Sequence, residues 1–318
     1  MGMLIEGRWS TRWYEPDEFG RFVRGKSQFR DRLSEDGSTP YPAEPSRYHL
    51  YVSLACPWAH RTLIVRKLRS LESAISVSIV DPVMGADGWK FSSAPAAIPD
   101  SVNGATYLRE IYTRAQPNYT GRVTVPILWD KQEGTIVNNE SREIVRMLDV
   151  LTTMGDPRVS FLPRGREDEV DAMIDAIYAP INNGVYRAGF ATTQAAYEEA
   201  VGELFEALDR FESHLAGRRY LLGSEITEAD WFLFTTLFRF DPVYHYHFKC
   251  NRRRLRDYPN LWGYVRDLYQ VPGVGETCNL EHVKLHYFAS HESINPTRVV
   301  PVGPDIDYTT AHDRDRLD

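Results

Sequence analysis

The stretch Ser53-Leu54-Ala55-Cys56-Pro57-Trp58-Ala59-His60-Arg61 decides how the chain is read. It follows a run that alternates like a strand, Tyr48-His49-Leu50-Tyr51-Val52, and precedes a helix-like run over residues 62–68. A cysteine at such a turn, with proline in the first helical turn, meets the helix's unpaired N–H groups and its positive end, which favours thiolate over thiol. Pro57 suits that turn because its φ is preset and no useful donor is lost there. Cys56 is therefore a candidate nucleophile. On residue type alone a cysteine is usually a small buried hydrophobe. The strand, Cys-Pro and helix order separates this one from that background.

The 318 residues suffice for one large domain or two of ordinary size. Hydrophobic residues make up 42% and charged residues 25%, as in soluble globular proteins. A net charge of −7 argues against general affinity for nucleic acid or an anionic membrane. The cysteines Cys56, Cys250 and Cys278 form no CxxC pair and no metal-type spacing. With no signal-like N-terminus, a reducing cytoplasm is the expected setting. The longest strongly apolar run, residues 231–238, is too short to span a bilayer.

Outward from the cysteine turn, residues 1–46 are polar and Gly/Pro-punctuated yet carry Trp9, Trp13, Tyr14, Phe19, Phe22 and Phe29. Disordered segments are poor in aromatics, so this extension is expected to pack on the body of the protein. Residues 47–155 read as a thioredoxin-like α/β domain. A strand is expected over 75–80, then an irregular insertion over 81–122 containing Trp89, functional or loosely ordered. Val125-Pro126-Ile127-Leu128-Trp129-Asp130 and Gly134-Thr135-Ile136-Val137 read as a hairpin, with Pro126 opening its strand where such folds keep a cis proline. Asn138-Asn139-Glu140-Ser141 leads into a helix over 142–148 with an Asn as N-cap.

Residues 165–290 read as an all-helical domain. Tyr197, Val201, Leu204, Phe205, Leu208, Phe211 and Leu215 recur at helical spacing. Thr227-Glu228-Ala229-Asp230 has capping-box spacing, and a further helix fits 261–268. Residues 291–318 form a Pro-rich tail, an ordered strap or a loose end. His282 and His286 are four apart, as on one helix face, but no carboxylate follows in a zinc-protease pattern, so no metal is expected. His245 and His247, two apart, are set aside with them. Lys249, Arg252, Arg253, Arg254 and Arg256 read as a solvated helix end or a local attractor for an anionic cosubstrate.

A thioredoxin-like half followed by an all-helical half is the arrangement of glutathione transferases. The wording is closer still in the cysteine turn, Val125 to Asp130, Ile136-Val137-Asn138-Asn139-Glu140-Ser141, Asn183-Gly184-Val185-Tyr186-Arg187-Ala188-Gly189-Phe190, Arg239-Phe240-Asp241-Pro242-Val243-Tyr244 and His286-Tyr287-Phe288. These six blocks, in consistent order, resemble the glutathionyl-hydroquinone reductases, the xi class of the transferases. The resemblance implies the following. Cys56 matches the catalytic cysteine, and Trp89 the tryptophan lying against glutathione. Arg122, Val123, Thr124, Val125 and Pro126 match the segment whose backbone pairs with the tripeptide. Glu140 and Ser141 match the pair holding its γ-glutamyl end. Tyr186, Tyr244 and Tyr287 match three tyrosines around the sulfur, the first a proton donor. Read alone, Glu140 and Ser141 also fit ordinary first-turn capping, and Trp89 a core or loop anchor.

The implied function is reduction of S-glutathionyl-hydroquinones through a Cys56–glutathione mixed disulfide. Glutathione, or another low-molecular-weight thiol, serves as cosubstrate with no bound cofactor. A homodimer is implied as well. The alternatives are an omega-like thiol transferase or dehydroascorbate reductase sharing the Cys-Pro turn, and a non-catalytic binding protein reusing the fold.

Overall fold

The computed structural model describes residues 2–317, which gather into two compact units. The first comprises the described chain up to Trp13, then Gly25–Val159 and Thr277–Val300. The second comprises Tyr14–Arg24, Ser160–Glu276 and the described chain from Pro301 onward.

In the first unit, β1 (Met3–Ile5) and β2 (Arg8–Ser10) form a hairpin. There follow β3 (Tyr48–Val52), α1 (Pro57–Leu68), β4 (Ile75–Ile79), α2 (Leu108–Ala115), β5 (Gly121–Arg122), β6 (Ile127–Asp130), β7 (Thr135–Asn138) and α3 (Ser141–Val150). The main sheet has the order β4-β3-β6-β7, with β3 parallel to β4 and the other pairs antiparallel. This is a thioredoxin-like sheet. A second sheet, β2-β1-β5, joins the N-terminal hairpin to the segment ahead of β6.

Alternation in β3 leads one to expect one wet face, yet all five of its residues are buried. Each polar member on this central strand meets a partner, as burial requires. The Tyr48 hydroxyl donates to Pro42 O (2.7 Å), and the Tyr51 hydroxyl to Asp100 Oδ1 (3.0 Å). The His49 nitrogens lie 2.7 and 3.0 Å from the Ser76 and Ser78 hydroxyls.

The insertion over 81–122 is more ordered than its composition suggests. Asp100 gathers the Val102, Asn103 and Ala105 amides at 3.0–3.1 Å, and α2 starts where Glu110 Oε1 accepts from the Tyr107 amide (3.0 Å). Eight residues without a Ser, Thr, Asp or Asn cap give little sequence signal for such a helix. Residues 29–31 run along β7, through Asn139 N to Phe29 O (3.1 Å) and Asp31 N to Val137 O (3.0 Å).

The second unit is helical. α4 (Glu167–Ile177) runs into a π-helical turn over Tyr178–Asn182, followed by α5 (Gly184–Gly189) and α6 (Gln194–His214). α7 (Glu228–Leu237), buried along its whole length, precedes a second π-helical turn over Phe240–Tyr244, and α8 (Pro259–Gln270) completes the set. The first π turn ends just ahead of the Tyr186 block and the second lies within the Tyr244 block, a placement frequent at functional sites. The buried Asn182 amide ties the first turn to α7, donating to Phe232 O (2.9 Å) and Thr236 Oγ1 (2.8 Å). Asp230 makes the expected capping box, accepting from the Thr227 amide (2.7 Å), and also takes the Leu221 amide and Tyr264 hydroxyl. The α6 stripe buries Val201, Leu204, Phe205, Leu208 and Phe211. Tyr197 is only half-buried, its hydroxyl on Lys249 O (2.6 Å).

α9 (Leu280–Ser290) belongs to the first unit by its packing, although in sequence it continues the helical series. The last segment is an ordered strap of the second unit: the Tyr308 hydroxyl donates to Phe238 O (2.8 Å), and the buried Arg314 donates to Leu215 O (3.0 Å). Among the described residues no helix is long and apolar enough to cross a membrane.

Candidate active site

Cys56 is the N-cap of α1, with extended backbone (φ −80°, ψ 120°) and Pro57 at the first helical position. Its amide donates to Ser53 O (3.2 Å) and its carbonyl accepts from the His60 amide (3.0 Å), so the turn is closed on both sides. The first turn of α1 carries no acidic side chain to oppose a thiolate. The half-buried Sγ lies 3.6 Å from Val125 O, the carbonyl of the cis Val125–Pro126 bond. Cys250 is fully buried, and burial pushes its thiol up. Cys278 Sγ lies 3.7 Å from His60 Nε2, and no disulfide joins the three thiols.

The segment 122–126 is held by neighbours at nearly every step. Arg122 lies in β5, and its guanidinium donates to the Arg12 and Trp13 carbonyls (2.6 Å each). Val123 is buried. Thr124 gives its amide to the Tyr112 hydroxyl (3.2 Å) and takes that hydroxyl's proton on its carbonyl (2.9 Å). The Val125 N–H has no hydrogen-bond partner among the described residues. Beside the Cys56 sulfur, this leaves one donor of an extended segment open to a strand-like partner.

Glu140, not an Asn, is the N-cap of α3: its Oε1 accepts from the Arg142 amide at 3.3 Å. The Asn side chains serve elsewhere. Asn138 Oδ1 takes the Glu140 amide (2.7 Å), while Asn139 holds the Phe29 amide (3.2 Å) and the Tyr112 hydroxyl (3.1 Å). Glu140 Oε2 accepts from the Ser27 hydroxyl (3.0 Å). Capping and ligand binding are compatible here, since a carboxylate offers about four lone-pair sites. Ser141, buried at the start of α3, accepts from Arg61 Nη1 (3.4 Å).

Trp89 is buried and stacks on His286, ring centroids 4.6 Å apart and planes 20° from parallel. His286 Nδ1 lies 3.1 Å from Pro82 O and 3.4 Å from the Ser290 hydroxyl. Tyr287 is buried edge-on to His286 (5.3 Å) and His291 (5.4 Å). In the second unit Tyr186 and Tyr244 are buried with ring centroids 6.1 Å apart. Phe248 stacks on Tyr244 (5.5 Å) and meets Tyr186 edge-on (5.5 Å).

Family models of the glutathione S-transferase N-terminal and C-terminal domains match residues 55–151 and 194–267. The chain is 50% identical to the glutathionyl-hydroquinone reductase YqjG of Escherichia coli (strain K12), over 325 residues covering 99% of each protein. A xi-class transferase structure from Natrialba magadii superposes with a TM-score of 0.94 at 50% identity, covering 100% of this chain and 97% of that one. The chain is a xi-class glutathione transferase. The glutathione-bound structure of YqjG from Escherichia coli K-12 matches at a TM-score of 0.88 and 48% identity, covering 99% of both chains.

In this xi-class transferase the first unit brings Cys56, the 122–126 segment, Glu140, Ser141, Trp89 and Tyr287 onto one scaffold, while Tyr186 and Tyr244 sit together in the second. Tyr112 is a connector that sequence reading missed: its hydroxyl bridges Thr124 and Asn139. So is Arg61, buried between Ser141 and the Trp58 ring (4.6 Å). Its place at the end of the cysteine-turn block is the sequence signal for it. The basic cluster is largely paired within the chain. Arg253 meets Asp209 (3.3 Å), Arg254 meets Asp257 (2.8 Å) and Arg256 meets Asp241 (3.5 Å). His282 Nε2 lies 2.6 Å from Pro95 O, and no group of three or more His, Cys, Asp or Glu side chains able to hold a metal occurs among the described residues.

Proposed function

We propose that this protein reduces S-glutathionyl-hydroquinones to hydroquinones with glutathione as cosubstrate. The observation that carries the reading is the Cys56 sulfur at the N-terminus of α1, 3.6 Å from Val125 O in a segment whose Val125 N–H is unoccupied among the described residues. An extended thiol tripeptide pairing there would lay its own sulfur beside Cys56. The likeness to a named glutathionyl-hydroquinone reductase over nearly the whole chain supports the substrate class.

The Cys56 thiolate attacks the thioether sulfur of the conjugate. The carbon–sulfur bond breaks, the aromatic carbon takes a proton, and a Cys56–glutathione mixed disulfide forms. Tyr186 supplies that proton, while Tyr244 and Tyr287 hydrogen-bond the thiolate or the substrate phenol. A second glutathione thiolate attacks the mixed disulfide, releasing oxidised glutathione and restoring Cys56. Trp89 forms an aromatic wall for the bound thiol, the 122–126 backbone pairs with it, and Glu140 with Ser141 holds its γ-glutamyl ammonium and carboxylate. We propose further that the enzyme works in the cytoplasm as a homodimer; a solution mass equal to one chain would contradict the dimer. Cys56→Ser is expected to lose reduction of a glutathionyl-hydroquinone altogether, and wild-type turnover in that variant would sink the reading.

A further inference from the structure

The strap of residues 14–24 lies within the second unit, away in sequence from every helix it touches. It is tied down at several points. The Thr192 amide donates to Gly20 O (3.0 Å), the Thr193 hydroxyl to Phe19 O (2.8 Å), and Arg21 pairs with Glu199 (2.7 Å). Gly20 has φ +82°, and a Cβ there would stand 2.6 Å from the Thr193 methyl, so the strap turns where only glycine fits. Phe22 packs against Tyr14 (4.9 Å) and Phe190 (5.3 Å). Two residues later the strap delivers a cation. The Arg24 guanidinium carbon sits 4.9 Å from the Tyr186 ring centroid, and its Nε donates to Asn183 Oδ1 at 2.8 Å. Asn183 is the N-cap of α5, whose carbonyl receives the Tyr186 amide (3.0 Å) and the Arg187 amide (2.9 Å).

We infer that Arg24 is a positioning residue for Tyr186, fixing the ring and the helix start that carries it and placing positive charge over the phenol. The inference rests on the reading of Tyr186 as proton donor. A phenol giving up its proton gathers negative charge, and a cation already over the ring face stabilises that charge without reorganising. Arginine suits the place because its planar group can stack on the ring while its Nε reaches the amide, which a lysine ammonium cannot do as well. The strap's aromatic residues then have a role beyond covering the helices, since they hold the backbone from which Arg24 reaches.

The test compares Arg24→Gln and Arg24→Lys with wild type, and repeats Arg24→Gln in a Tyr186→Phe background, using a glutathionyl-hydroquinone and glutathione. Loss of the charge is expected to lower kcat about tenfold with a much smaller change in KM. The solvent deuterium isotope effect on kcat should rise as proton transfer becomes slower, a readout that mere loosening of the strap would not move. Arg24→Lys should recover part of kcat. In the Tyr186→Phe background, Arg24→Gln should cost nothing further, because the group it serves is gone. Wild-type kcat and isotope effect in Arg24→Gln, or an equal loss in both backgrounds, overturns the inference while leaving the proton-donor reading intact. Wild-type turnover in Tyr186→Phe alone overturns that reading and the inference with it.

Discussion

His49 lies in the middle of β3 with no exposed surface, both ring nitrogens facing serine hydroxyls and no carboxylate close enough to bond. Burial, the largest cause, pushes its pKa down to about 4. Burial likewise lowers His247 to about 4, with Lys249 adding to the effect. A depressed histidine means that the unfolded chain binds the proton first as pH falls. Its stabilising contribution is therefore full above about pH 6.5, the unfolded value, and is lost progressively down to about pH 4, where the folded form also titrates. The lost contribution is on the order of 3 kcal/mol for His49. Thermal unfolding followed from pH 7 to pH 4 should show a shallower decline for His49→Asn than for wild type. Parallel curves would rule out a buried neutral His49. At this scale legibility followed locality. Cys56 was readable because its neighbours in sequence are its neighbours in space, whereas Arg61, Tyr112 and Arg24 act on residues at least 12 positions away.

α5 is only six residues long and carries Tyr186 near its middle, so its placement depends on what it packs against rather than on its own propensity. Gly189 ends it against the Phe248 ring: a Cβ there would come within 2.2 Å of the ring carbons. Phe248 is fully buried and itself wedged against Tyr186 and Tyr244, so it cannot yield cheaply. Gly189→Ala should cost about 1–3 kcal/mol of stability, measured as a fall in denaturant midpoint, and should lower reductase activity in the folded fraction. An unchanged midpoint would mean that the α5 to Phe248 contact is loose. The glycine was visible in Arg187-Ala188-Gly189-Phe190, but its reason was not, because Phe248 lies 59 residues on. Elements with strong periodicity or caps, such as α1, β3, α6 and α7, lie where their patterns put them. α2 is hard to read because it is short and lacks a typical cap, and no asparagine caps α3 because Asn138 is spent on the Glu140 amide and Asn139 on Phe29 and Tyr112.

The two units are interleaved in the chain. Residues 14–24 and the segment from Pro301 pack with the helices of the second, and α9 packs with the first. Sequence reads contiguous blocks, so the thioredoxin-like order and the helical run are legible, while this exchange of segments follows from packing of Trp13 on His291, Trp89 on His286, Phe22 on Phe190 and Tyr308 on Phe238, all far apart along the chain. On the proposed chemistry the molecule needs only one reactive cysteine, because the second thiol arrives with the cosubstrate, and the buried Cys250, its thiol pushed up, is unsuited to the task. The measurement that tests this most directly is mass spectrometry of peptides from protein incubated with a glutathionyl-hydroquinone and quenched with acid before free glutathione is added. The account predicts one glutathionyl group, removable by reductant, on Cys56 and an equal amount of freed hydroquinone. Freed hydroquinone with Cys56 unmodified, or a glutathionyl group on Cys250 or Cys278 instead, would contradict it.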